Sequence, residues 1–320
     1  MLKLLALDRF TILLIAMVIL ATFLPVAGQM AHYFNILTTV AIAILFFLHG
    51  AKLSREAVLE GMLHWKMHAL VFAFTFVIFP VIGLLAKPVL EPILGQRLYW
   101  GFLFMCFLPS TVQSSIAFTS MAKGNVAGAV CSASFSNIIG MFITPVLVSY
   151  FILGQSQHGF DPTKSIIQIT LLLLVPFILG QLLRPYVFPY MLKLPSLVKA
   201  FDQGSILMVV YGAFSSAVVA GLWHQVSGLT LFYLTLACSV LLTLVMLLAL
   251  YLPKWLGFNQ ADQVTIFFCS SKKTLASGVP MAQILFIGQP LGMIVLPIMI
   301  FHQIQLMVCG VIANHWAKRH

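Results

Sequence analysis

Apolar residues run along this chain in long blocks. The blocks break only at polar, proline or glycine punctuation, at about 10–27, 35–50, 66–86, 98–122, 125–153, 165–185, 203–222, 228–252, 261–288 and 290–313. Most are close to the ~20 apolar residues that carry an α-helix across a bilayer. The strict alternation of a membrane barrel strand is absent. Lipid cannot satisfy free backbone groups, so the pattern predicts helices throughout. The expectation is an all-α, polytopic membrane protein with ten transmembrane helices and both termini on one side. The first block, Phe10 to Ala27, follows Lys3, Asp8 and Arg9, and no small-residue cleavage site ends it cleanly. It reads as the first membrane helix rather than a removable signal.

Composition supports the same solvent. Hydrophobic residues make up 61% of the chain and charged ones 8%, against about 25% charged in soluble domains. The basic residues also fall unevenly. Lys3, Arg9, Lys52, Arg55, Lys66, Lys123, Arg184, Lys193, Lys199, Lys254, Lys318 and Arg319 lie on the side of the termini, and only Lys87, Arg97 and Lys164 on the other. The positive-inside rule then puts both termini in the cytoplasm, in a plasma membrane or, for a bacterial chain, the inner membrane. This bias and anionic lipid account for the net charge of +10. No basic stripe with interleaved aromatics points to nucleic acid. Cys106, Cys131, Cys238, Cys269 and Cys309 sit inside apolar blocks without metal-ligand spacing, so neither a disulfide nor a zinc site is expected.

The two halves share a plan. Phe104 and Cys106 precede one polar interruption and Phe267 and Cys269 another, at an interval of 163. Gly124 and Gly128 follow the first as Gly288 and Gly292 follow the second, at 164, and Pro88 and Pro253 match at 165. Five helices per half would invert the second half relative to the first, a plan common in secondary transporters. The Gly pairs also suit plain helix packing through GxxxG.

The interruptions carry the candidate chemistry. In the fourth block, Pro109, Ser110, Thr111, Gln113, Ser114 and Ser115 fall within seven positions. In the ninth, Ser270, Ser271, Lys272, Lys273 and Thr274 precede Ser277, Gly278 and Pro280. A charge at the bilayer centre costs at least ~2.5–3.5 kcal/mol, so the lysines should face a cavity, a partner or the interface. One reading is a discontinuous helix with its lysines at a crossing, where unwound carbonyls suit cations and half-helix N-termini suit anions. The other is a miscounted span with both lysines in a cytoplasmic turn. For the hydroxyls at 110–115 the alternative to a site is bonding back onto their own helix. The seven acidic residues, Asp8, Glu56, Glu60, Glu91, Asp161, Asp202 and Asp262, lie in loops or near block ends. None is a mid-membrane carboxylate for a proton or sodium.

Leu48-His-Gly-Ala-Lys-Leu53, Phe268-Cys-Ser-Ser-Lys-Lys-Thr274 with Gly278-Val-Pro280, and Ala122-Lys-Gly-Asn-Val126 resemble the bile acid:sodium symporter family, in the branch of sodium/bile acid cotransporter 7 and its bacterial relatives. The resemblance covers nearly the whole chain. It implies one transporter domain over 1–320, with inverted repeats at 1–153 and 165–313 and discontinuous helices 4 and 9 crossing. Helices 1, 2, 6 and 7 would form a panel, helices 3–5 and 8–10 a core, with elevator or rocking alternating access. It implies Na+ as a coupling ion. The family's sodium ligands carry over to Thr75 on the third helix, to Ser114-Ser115 or Ser115-Ile116, and to Ala129 and Ala133 with Ser132, Ser136 and Asn137 nearby. The ninth-helix carboxylate has no counterpart, because Lys272 or Lys273 occupies its region. A fixed ammonium there would stand in for a bound cation, or a lysine that exchanges its proton would couple transport to pH.

Glu60, His64 and His68 recur every four residues and would share a helix face able to hold a metal, although an amphipathic linker explains them better. His49, His302 and Gln305 read as polar packing groups. No nucleophile elbow, P-loop or dinucleotide fingerprint is present, and no paired acid and base suggests an enzyme. The expected function is secondary transport of a small organic anion, sodium-coupled, proton-coupled or neither. The alternative is a transporter-fold membrane protein that regulates ion homeostasis.

Overall fold

The computed structural model describes residues 9–52, 64–154, 175–219, 221 and 226–318. The described residues are helical, with no strand among them. In chain order the helices are α1 (Arg9–Phe23), α2 (Gly28–Lys52), α3 (Trp65–Leu85), α4 (Lys87–Leu94), α5 (Gln96–Phe107), α6 (Gln113–Met121), α7 (Val126–Leu153), α8 (175–182), α9 (Arg184–Lys193), α10 (Pro195–Val219), α11 (Gly228–Trp255), α12 (Gln260–Ser270), α13 (Leu275–Leu285) and α14 (Leu291–Ala317). Six of these, α2, α3, α7, α10, α11 and α14, are long and apolar enough to cross a membrane. The protein is a multi-pass membrane protein.

Local chemistry fixes several helix starts. Asn125, Ser227, Asn259 and Thr274 cap α7, α11, α12 and α13 by accepting from Gly128, Thr230, Asp262 and Ser277 backbone N–H groups. Helix limits differ from the apolar limits for a simple reason. Hydropathy marks the hydrocarbon boundary, whereas helices continue into the headgroup layer. Thus α2 begins at Gly28 rather than 35, and α10 at Pro195 rather than 203. The polar turns beyond the apolar stretch are used: Lys52 at the end of α2 pairs with Asp202 on α10. Of the block expected at 165–185, residues 165–174 lie outside the described residues.

The fourth and ninth blocks are each two helices, interrupted at 108–112 and at 271–274. At 1.5 Å per residue, α5 plus α6 and α12 plus α13 each rise about 32 Å, enough to cross a ~30 Å hydrocarbon core. No single half would do so. The helices α3, α5, α6 and α7 start 162 to 165 residues before α11, α12, α13 and α14 respectively. The shared plan is therefore visible at the level of elements. Each Gly pair straddles a helix start, with Gly124 and Gly288 before it and Gly128 and Gly292 in α7 and α14, and packing still constrains them: a Cβ on Gly292 would fall 2.6 Å from Ala217 Cβ of α10.

Packing places the interruptions deep. The half-helix α5 lies against α3, α4, α7 and α14, and α12 against α3, α6, α7 and α11. A Cβ on Gly101 of α5 would fall 2.6 Å from the Ile294 carbonyl oxygen of α14, so that contact requires glycine. Helix α10 joins α1 and α2 on one side to α13 and α14 on the other.

Candidate functional site at the two helix breaks

Breaking a helix inside a membrane frees backbone groups that lipid cannot satisfy. In the first break Pro109 has no N–H to donate. The Ser110 N–H donates to Ser136 Oγ (3.1 Å), and Asn137 Nδ2 donates to the Ser110 carbonyl (2.7 Å). Two neighbours on α7 thus hold both backbone groups of one unwound residue. In the second break one side chain of α14 does the same: the Lys273 N–H donates to Gln305 Oε1 and Gln305 Nε2 donates to the Lys273 carbonyl, both at 2.9 Å. The breaks are also tied to each other. Thr274 N–H donates to the Pro109 carbonyl (3.0 Å), Ser110 Oγ to the Cys269 carbonyl (2.6 Å) and Ser115 Oγ to the Phe268 carbonyl (3.3 Å).

Both lysines are fully buried, so neither lies in an exposed turn. The Lys273 ammonium donates to three carbonyls, of Thr75 (2.8 Å), Cys106 (2.8 Å) and Leu108 (2.7 Å), and lies 4.2 Å from the centre of the Phe79 ring. Each carbonyl is free for a stated reason. A π-helical turn at Phe74–Ile78 sends the Phe79 N–H to Phe74, and Pro80 has no N–H, so nothing in α3 reaches Thr75. Ser110 has turned to Ser136 instead of Cys106, and Leu108 lies in the break itself. An ammonium at the C-terminal end of α5 is also favoured by the helix dipole.

Lys272 is held differently. It donates to the Ser114 carbonyl (2.9 Å) and otherwise faces the rings of Phe118 (4.2 Å) and Phe268 (5.2 Å). Among the described residues no carboxylate partners either lysine. Asp262 accepts from Asn125 and Asn259 (both 2.8 Å), Asp202 pairs with Lys52, and Glu91 lies 3.9 Å from Lys87.

The structure brings together Ser110, Thr111, Ser114, Ser115, Asn137, Lys272, Lys273 and Thr274. Thr111 Oγ1 lies 2.6 Å from Ser114 Oγ and 3.3 Å from Ser115 Oγ, and Ser277 Oγ donates to Asn137 Oδ1 (3.2 Å). Ser110 and Ser115 therefore bond across the crossing rather than back onto their own helix. Thr75 takes part through its carbonyl, while its hydroxyl bonds to Val71 on α3 (2.8 Å). Ser132 stands apart, 2.6 Å from His68 Nδ1. Gln113 is exposed. Ser270 Oγ is buried without a hydrogen-bond partner, and Ser271 Oγ lies 3.9 Å from Cys309 Sγ. Of the Glu60, His64 and His68 series, Glu60 lies outside the described residues, and no three metal-ligating side chains cluster among the described ones.

Sequence reasoning named Ser136 and Gln305 without their roles in holding unwound backbone, and it missed the rings of Phe79, Phe118 and Phe268. Gln305 offered one signal, an amide in the middle of an apolar block. Its reading as a packing group overlooked the unwound backbone such an amide can hold.

Comparison with known proteins places the chain. The model of the SBF-like CPA transporter family matches residues 8–318. An uncharacterized protein of Pseudomonas aeruginosa is 54% identical over 312 residues, covering 98% of this chain and 93% of the relative. The Escherichia coli K12 protein named "Putative symporter YfeH" is 50% identical over 318 residues, covering 98% and 94%. Sodium/bile acid cotransporter 7 of Danio rerio is 30% identical over 292 residues, covering 90% and 86%. With a family match over almost its whole length and broken helices meeting at buried lysines, this chain belongs to the SBF-like CPA transporter family.

Proposed function

We propose that the chain is a secondary transporter of a small organic anion, working by alternating access, with its substrate handled at the crossing of the two helix breaks. The observation that carries this reading is the Lys273 cage. Three carbonyls freed inside a membrane protein form a cation-binding set, and a tethered ammonium fills it. A positive charge at the crossing favours an anion as cargo.

In this reading the protein has ten membrane helices in two inverted five-helix repeats, termini in the cytoplasm, and a core of α3–α7 and α11–α14 that moves against a panel of α1, α2 and α8–α10. The buried crossing is an occluded conformation. The residues do not suit sodium. The carbonyl cage is taken, and Lys272 binds the backbone carbonyl of Ser114, whose hydroxyl clusters with that of Thr111, so its charge there would repel a cation. Lys273 supplies the charge that a coupling cation would otherwise bring.

The test is uptake by the purified protein in liposomes, using radiolabelled organic anions, benzoate and taurocholate among them. Uptake in sodium-free medium that is lost in Lys273→Ala is the expected result. Uptake that strictly requires sodium would overturn the tethered-cation reading, and no uptake of any anion would overturn transport. The complete burial of both lysines favours one second reading, a transporter-fold protein that regulates ion homeostasis with its crossing kept shut. Failure of all uptake by folded protein would support it.

A further inference from the structure

The two lysines are adjacent in sequence, yet their surroundings differ in kind. Lys273 has three N–H donors and three carbonyls to receive them. Lys272 has one carbonyl, that of Ser114, and its other donors meet the faces of Phe118 and Phe268. A buried charge is retained at great cost unless it is paired. Ring faces attract an ammonium only weakly compared with an anion. The described acids that would pair with it are engaged elsewhere, Asp262 with two asparagines, Asp202 with Lys52 and Glu91 beside Lys87. Among the described residues neither ammonium has a counter-charge, and Lys272 also lacks the three carbonyls that compensate Lys273.

Its neighbours suit an anion. The hydroxyls of Thr111, Ser114 and Ser115 crowd together at the start of the nine-residue helix α6; Ser115 donates to the Phe268 carbonyl, while Thr111 and Ser114 can turn to donate. Lys272 reaches this turn at Ser114. The flanking rings of Phe118 and Phe268 are apolar walls. One unpaired positive charge, hydroxyl donors and two rings fit a singly charged head on an apolar body.

We propose that Lys272 is the receptor for the anionic head of the substrate, a carboxylate or sulfonate carried on an apolar body, and that Lys273 is a fixed charge that never meets it. On binding, the ammonium leaves its ring contacts and pairs with the anion beside Ser114 and Ser115. The proposal rests on the anion-transport reading and assigns the two lysines separate roles within it.

The test uses full-length protein in detergent and follows thermal unfolding as choline benzoate replaces choline chloride at constant ionic strength. Binding to the folded state raises the melting temperature. A saturable rise is expected in the wild type, at least tenfold weaker in Lys272→Met and retained in Lys272→Arg. Phe118→Leu removes a competitor for the ammonium and should move the response to lower benzoate, by up to about tenfold. Loss of fold could not produce that sign, so this variant keeps the test decisive if Lys272→Met does not fold. No saturable rise in the wild type, an unchanged response in Lys272→Met, or an unchanged or weaker one in Phe118→Leu would overturn the proposal. Uptake of labelled benzoate separates the two readings. Binding without uptake removes transport alone, whereas equal uptake by wild type and Lys272→Met removes this assignment alone.

Discussion

Replacing Lys273 with alanine should destabilise the protein in a way that a small free cation partly reverses. The substitution leaves the carbonyls of Thr75, Cys106 and Leu108 buried without a donor. Each such loss costs about 1–3 kcal/mol, or roughly 3–9 kcal/mol for three. Removing a charge from the membrane interior returns about 2.5–3.5 kcal/mol. The net is a loss near 3 kcal/mol, or about 6 °C at roughly 2 °C per kcal/mol. Ammonium or methylammonium ions can enter the space left by the side chain and restore three N–H donors. At a concentration tenfold above its dissociation constant, such an ion returns about 1.4 kcal/mol. The assay is the melting temperature of purified wild type and Lys273→Ala in 0 to 200 mM choline, ammonium or methylammonium chloride, a range chosen at about this scale because weak single-site ion binding falls there. Wild type should not respond, since its cage is filled. A variant as stable as wild type, or one indifferent to ammonium, would refute the view that the three carbonyls need a cation.

Three further outcomes follow from the same contacts. Thr75→Val should leave stability within about 1 kcal/mol, because the lost hydroxyl serves only Val71 while the carbonyl stays at Lys273; a loss as large as that of Lys273→Ala, by thermal unfolding, would contradict this. Gln305→Leu leaves the N–H and carbonyl of Lys273 unpaired and should cost about 2–6 kcal/mol, seen as a melting temperature well below that of Thr75→Val. Gly180→Ala would put a Cβ 1.9 Å from the Phe47 carbonyl oxygen, across the contact of α2 with α8. That contact should be forced apart, and reduced yield of folded protein on size-exclusion chromatography measures it.

The membrane character and the places where helices fail were legible because both are matters of local residue type. Pro109 and the lysine pair stand out against an apolar background whatever the fold does. Helix limits were less legible, since the polar turn around Lys199 and Asp202 continues α10 beyond the hydrocarbon. The cage of Lys273 was not legible at all. It is built from backbone carbonyls, and no side chain announces them. Thr75 was singled out for its hydroxyl and proves relevant through its carbonyl, freed by a π-helical turn and Pro80 five residues on. Gln305 lies 32 residues from the backbone it holds, a relation that only the packing of α14 beside the break creates.

The two breaks solve the same problem with different means. Ser110 and Lys273 stand 163 residues apart, the interval that relates the halves before their breaks, and each is the unwound residue whose N–H and carbonyl are both held by the long helix that follows. Their side chains then cross over, each to a carbonyl at the C-terminal end of the other half's first segment: Ser110 to Cys269, and Lys273 to Cys106, residues that are themselves 163 apart. At one position the connection is a neutral hydroxyl with one proton to give, at the other an ammonium with three. The carbonyl of Cys106 alone does not require a charge, because Ser110 satisfies the matching carbonyl of Cys269 without one; the carbonyls of Thr75 and Leu108 have no such counterpart at Ser110. The ammonium of Lys273 thus does two things that a serine hydroxyl cannot: it fills two further carbonyls, and it places a positive charge at the meeting of the breaks, on which the anion-transport proposal rests.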